Sequence, residues 1–188
     1  MVAVLAGLAV GRLRGGRLVN LTRLTPRWMP LLVLAVAAVT AARFAVVPVA
    51  LAGTLVTAGY VLALVGLIVN LRLPWLWLAL AGAALNAVVI AANAGRMPVS
   101  PRVIRDVSKS LVLSGTTGPF YVLAGPRTAL VPLGDTLPVV AGGIGVILSP
   151  GDVLLALGIA ATLQAAMLAE PAPPDGATLR QGNGDRPD

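Results

Sequence analysis

Apolar residues fill long stretches of this chain, and polar residues are pushed into the gaps between them. The runs do not follow the period of two of a half-buried strand, nor the narrow stripe of a surface helix. They are oily on every side, as helices in lipid are. Five spans are predicted, over residues 1–11, 29–43, 51–70, 74–93 and 150–168. A helix rises 1.5 Å per residue and the hydrocarbon core is ~30 Å thick, so about twenty residues complete a crossing. The first run reaches about half that distance: half a span, or a span whose start lies upstream of Met1. It reads poorly as a signal peptide, because no basic segment precedes it and arginines follow.

Helix punctuation agrees with these limits. Pro30 fits the first turn of the second span, where its missing N–H costs nothing. Ser149-Pro150-Gly151-Asp152 opens the last span. Ser149 caps it, and Asp152 meets free N–H groups at the positive dipole end. Trp28, Trp75 and Trp77 stand at run boundaries, where aromatic anchors are expected.

Residues 94–149 differ. Prolines and glycines interrupt them, and no run reaches span length. Ser100-Pro101 reads as a helix start, and Val103, Ile104, Val107 and Leu111 recur on one face. An amphipathic helix over about 100–113, lying in the interface plane, is predicted. Leu137–Leu148 is apolar but broken by Pro138, Gly142, Gly143 and Gly145, and reads as an irregular or re-entrant segment packed on protein. The tail, 170–188, is rich in Pro, Gly and Asp and reads as disordered. The expected fold is all-α: a polytopic transmembrane helix bundle of about five spans, with an interfacial amphipathic helix and a broken or re-entrant segment.

Composition strengthens this reading. The chain is 57% hydrophobic and 11% charged, with mean hydropathy +0.91. A soluble domain is about a quarter charged. Cysteine and histidine are absent, which removes disulfides, thiolate or imidazole metal sites, a Cys nucleophile and a His base. No cofactor or metal is expected. High Ala, Gly, Arg and Pro with one lysine points to a GC-rich bacterial source.

The net charge is +7. The arginines flank apolar runs, so anionic head groups explain them better than a nucleic-acid groove does. Arg12, Arg14, Arg17, Arg23 and Arg27 have no acidic residue among them. Such a loop stays cytoplasmic. Residues 12–28 are therefore placed inside a bacterial cell membrane, the N-terminus outside and residues 94–149 outside. Arg96, Arg102, Arg105, Lys109 and Arg127 in that last region, against Asp106 and Asp135, pull the other way.

Several polar residues are candidates for a ligand site. Asn86 and Asn93 lie seven apart on one face of the fourth span, and Asn70 ends the third. Interhelical hydrogen bonding is the default reading of such amides, and a ligand lining is the functional one. Gly59, Ala63 and Gly66, and Ala79, Ala83 and Ala87, form small-residue stripes that allow close packing. Arg96 and Ser100 sit beside Arg102, Arg105 and Lys109, which are read as lipid head-group contacts. Asp135 and Asp152 each suit a turn or cap. Convergence of the two on Arg96 would make an active-site cluster.

Four segments together resemble a known bacterial membrane family. They are GRLRGGRLVNL near the start, NAGRMPVSP at 93–101, TALVPLGDTLP at 128–138 and SPGDVLLALG at 149–158. The family is domain of unknown function 5317. The resemblance covers nearly the whole chain except the tail, and it implies a multi-span membrane protein with no assigned activity. Its motif positions here are Arg96, Met97, Pro98, Ser100, Gly134, Asp135, Asp152 and Gly158.

The expected role is non-enzymatic: small-molecule or lipid handling, or assembly with a membrane partner or a second copy. The partner expected in every case is the bilayer. The alternative is an enzyme acting on a lipid-linked phosphate at the membrane surface. There the arginines would hold the anion, and Asp135 or Asp152 would move a proton or bind a divalent cation.

Overall fold

The computed structural model describes residues 2–43, 48–107, 120–141 and 144–169. Five main helices follow the apolar runs: α1 (Val2–Leu13), α2 (Met29–Arg43), α3 (Val49–Ile68), α4 (Leu76–Ala92) and α6 (Pro150–Leu168). A short α5 (Pro101–Val107) lies between the last two. The helices pack in the order α2, α3, α4, α6, α1, so the first and last helices of the chain are neighbours. α1 and α6 run parallel, with Gly7 beside Ala160 and Gly11 beside Met167.

Small residues set the packing distance. A Cβ on Gly59 would stand 2.8 Å from Val39, and one on Gly66 would meet the Leu32 side chain, so α3 lies close on α2. The α4–α6 crossing is tighter. A Cβ on Gly158 would strike the backbone N of Ala79, and one on Gly82 would strike the carbonyl of Gly151 and Leu155 N. Backbone-to-backbone approach of this kind is the usual source of helix association where no hydrophobic effect operates between helices.

The bundle has two distinct ends. At one end lie the C-termini of α1, α3 and α6 and the N-termini of α2 and α4, with the arginine-rich loop 14–28 and the turn 69–75. At the other end sits a small β cap. Strand β1 (Met97–Val99) pairs in parallel with β2 (Tyr121–Leu123), Met97 opposite Tyr121. Asp135 bridges the other edge of β1. All three residues of β1 are buried. Met97 and Val99 join Val56, Ile90, Val103, Phe120 and Ile147 in one apolar cluster, where the Phe120 and Tyr121 rings meet edge-on at 4.7 Å. A second cluster, around Leu67, Leu76 and Ala79, holds the arginine end.

Two expectations need correction. The fold is mostly helical rather than all-α, because two two-stranded sheets accompany the helices. Leu137–Leu148 is an antiparallel hairpin, β3 (Leu137–Ala141) and β4 (Ile144–Leu148), with Ala141 opposite Ile144. The two-residue Gly142-Gly143 link between β-branched runs is a hairpin signal. Pro138 is tolerated because every strand of a two-stranded ribbon is an edge. α5 packs against the cap: Val103 is buried in the core, Ile104 packs on that core, and the helix rests on β3 and β4. Arg102 is exposed. The rest of the predicted helix, 108–113, and the tail lie outside the described residues.

The α4–α6 contact predicts a sharp asymmetry among glycines. Gly158→Leu should lower stability by about 1–3 kcal/mol, the usual cost of overpacking. Gly125, where a Cβ meets nothing within 4 Å, should accept Ala with no measurable loss. Thermal unfolding of the purified variants reads both.

Candidate functional site

Asn86 of α4 and the start of α6 form a closed hydrogen-bond ring. Ser149 caps α6 and its Oγ accepts from Asp152 N at 2.9 Å. Asp152 Oδ2 accepts from Ser149 N at 3.0 Å, which completes a capping box. Asn86 Nδ2 donates to Asp152 Oδ1 at 2.8 Å, and Ser149 Oγ donates to Asn86 Oδ1 at 2.8 Å. Ser149 and Asn86 are buried. Gly151 makes the approach possible, because a Cβ there would fall on Asn86 Oδ1. Both carboxylate oxygens of Asp152 are therefore occupied within the protein.

Three further asparagines fasten loops to helices. Asn93 caps α4: its Nδ2 donates to Val89 O and to Ala129 O, and its Oδ1 accepts from Ala129 N at 3.0 Å. Asn70 does the same to Arg27, donating to its carbonyl at 2.8 Å and accepting from its N–H at 2.6 Å. Asn20 was not singled out in the sequence. It is buried and donates to Met167 O and Ala169 O, satisfying the open carbonyls at the end of α6. Its only sequence signal is a short polar amide among arginines. Among the described residues no buried side-chain nitrogen or oxygen lacks a partner.

Arg96, Ser100 and Asp135 lie beside β1. Asp135 is buried beside β1, with its N–H donating to Pro98 O at 2.8 Å and its carbonyl accepting from Ser100 N at 3.1 Å. Arg96 is exposed, and Asp152 is engaged by Asn86 and Ser149 instead. Ser100 starts α5 and its carbonyl accepts from Ile104 N. The Arg105 side chain and all of Lys109 lie outside the described residues. Among the described residues, no group of three His, Cys, Asp or Glu could hold a metal ion.

Among the described residues, the charge at the other end of the bundle is of one sign. Arg12, Arg14, Arg17, Arg23, Arg27 and Arg72 all lie there, and no acidic residue precedes Asp106. Arg14 donates to the neutral Gln164 at 3.1 Å, and Arg72 donates to Thr25. Trp28 and Trp75 hold left-handed backbones, φ 57° and 66°, immediately before α2 and α4. A bulky residue in that region costs of order 1–3 kcal/mol, so the packing around both turns must enforce it. Trp28, Trp75 and Trp77 are all exposed.

A family described as a family of unknown function, DUF5317, matches residues 20–164. The chain belongs to that family. No curated protein and no solved structure matches it. The DUF5317 match takes in the Asn86–Ser149–Asp152 ring, the Asn70 and Asn93 clasps, and Arg23, Arg27 and Arg72 of the arginine end.

In this DUF5317 chain the ring holds α6 on α4, and its bonds explain Asn86, Ser149 and Asp152 without a ligand. Asp152→Ala removes two acceptors and strands the Asn86 amide, at a cost of about 1–3 kcal/mol. Asp152→Asn keeps one acceptor oxygen and should lose less. Unfolding midpoints of the two variants, compared with the parent chain, check the order.

Proposed function

We propose that this protein is an integral membrane protein of five spans, with its arginine end in the cytoplasm and a non-enzymatic, lipid-handling role. The observation that carries the reading is the outward surface of the helices. α3 contains an 18-residue window of mean hydropathy 2.1, of which 28% is buried, and α6 a 19-residue window of 1.7, of which 22% is buried. In water such surfaces would aggregate, and in lipid they are at rest. Val33, Leu34 and Val36 of α2, Val61 of α3, Val88 of α4 and Leu157 of α6 all face outward.

Length supports five crossings unequally. α3 and α6, of 20 and 19 residues, are long enough and apolar enough to cross. α1, α2 and α4 are shorter apolar helices of 12, 15 and 17 residues. A short helix can cross where the bilayer thins locally or flanking residues snorkel, at modest cost. Pairing them with the full-length helices in one bundle favours that arrangement.

Orientation follows from charge. Six arginines and three exposed tryptophans ring one end of the bundle, the pattern of a cytoplasmic face with its aromatic belt. The non-enzymatic reading is supported by the use of Asp152 as a helix cap and by the burial of Asp135 in the β cap. Neither carboxylate opens onto the arginine end, where a lipid phosphate would lie.

The absence of native cysteine makes the test direct. With Cys at Gly125 or at Leu18, a membrane-impermeant maleimide applied to intact cells should label the Gly125→Cys chain. It should label Leu18→Cys only after permeabilisation. The reverse pattern overturns the orientation. Release of the chain by alkaline carbonate, with both positions equally accessible in lysate, overturns the membrane reading.

A further inference from the structure

We infer that the cleft between α4 and α6 at the arginine end is a binding site for one anionic phospholipid, its phosphate held by Arg14 and one acyl chain laid along α6. This rests on the membrane reading above and names the ligand and the site.

The cleft has a volume of about 420 Å³. Leu157, Ala161, Ala165 and Leu168 form its floor, one face of α6 at helical spacing. Trp75 and Leu78 of α4 form its wall. From Leu157 to Leu168 the helix rises about 16 Å, close to the depth of one leaflet's hydrocarbon, half of the ~30 Å core. The floor runs from the middle of α6 to its end at the arginine face, as an acyl chain would run.

The mouth is polar and cationic. Arg14 and Gln164 line it, joined by one hydrogen bond. A guanidinium has five N–H donors, so that bond leaves most of them for a ligand. The partner in this pair is a neutral amide, and no carboxylate in the described residues bonds Arg14. Arginine matches phosphate through two parallel N–H···O bonds. An adjoining cavity of about 200 Å³ shares Ala165 and is lined by Arg23 and Asn20, which extends the cationic edge beside the head group. A zwitterionic lipid would bring its own cation to this edge. The charge therefore favours a net-negative head group over phosphatidylcholine.

Trp75 forms part of the wall, so its fluorescence reports occupancy. The full chain with Trp28→Phe and Trp77→Phe is reconstituted into phosphatidylcholine vesicles carrying graded fractions of brominated phosphatidylglycerol or brominated phosphatidylcholine. Half-maximal quenching should need about fivefold less of the anionic lipid, the factor set by one arginine near the surface. Arg14→Gln should remove the preference by losing the charge. Ala161→Phe should remove it by filling the floor while every arginine stays. Equal quenching by the two lipids in a chain that floats with the vesicles overturns the site and leaves the membrane reading intact. A preference that survives both substitutions also overturns the site, since it would report general enrichment around a basic face. A chain that fails to float with vesicles of either lipid overturns both.

Discussion

Backbone meets backbone where α4 crosses α6, and the remainder of the bundle is arranged around that contact. Gly82, Gly151 and Gly158 leave no room for a side chain, and Ala79 supplies the flat surface opposite. Such closeness would strand polar groups unless each had a partner. The Asn86–Ser149–Asp152 ring supplies those partners at the end of the crossing where α6 begins. The helix cap and the interhelical bond are then one network: the carboxylate that completes the cap also receives the neighbouring amide. In a low-dielectric setting a network of this kind is favourable only when complete, which explains why both Asp152 oxygens and both ends of the Asn86 amide are engaged.

The asparagines repeat one device at different places. A carboxamide carries a donor and an acceptor side by side, as a peptide group does, so it can pair with the N–H and C=O of one distant residue. Asn70 grips Arg27 in this way and Asn93 grips Ala129. Asn20 takes two carbonyls at the end of α6. The loops of the arginine end are thus fixed by neutral amides, with Arg72 adding a bond to Thr25, and the Arg14 side chain stays exposed. That division of labour is what allows the cleft beside Arg14 to be read as a cation looking for an anion outside the protein.

Helix positions were legible from the chain because long apolar runs leave little choice. The predicted runs 29–43, 51–70, 74–93 and 150–168 each coincide with a helix to within two residues. Local chemistry was legible too: Ser149 and Asp152 cap α6 as their spacing implied. Longer-range features were not. Gly142 and Gly143 weaken a helix as surely as they favour a two-residue turn, and only the β-branched flanks decide for the hairpin. The apolar face of α5 was recognised, but its partner lies some thirty residues further on, beyond any periodic signal. Asn86 and Asp152 were both singled out, yet their contact spans 66 residues, which no spacing rule connects. Asp135 pairs with Val99 on the second edge of β1, a bridge between distant positions that no spacing rule connects.

The parallel pairing of α1 with α6 has a consequence for biosynthesis. α1 precedes the other described helices in the chain, yet its principal neighbour in the bundle is α6, made long after it. Through most of translation its glycine face, Gly7 and Gly11, has nothing to seat against. The middle helices can associate with their sequence neighbours as they appear, whereas closure of the ensemble waits for residues 150–168.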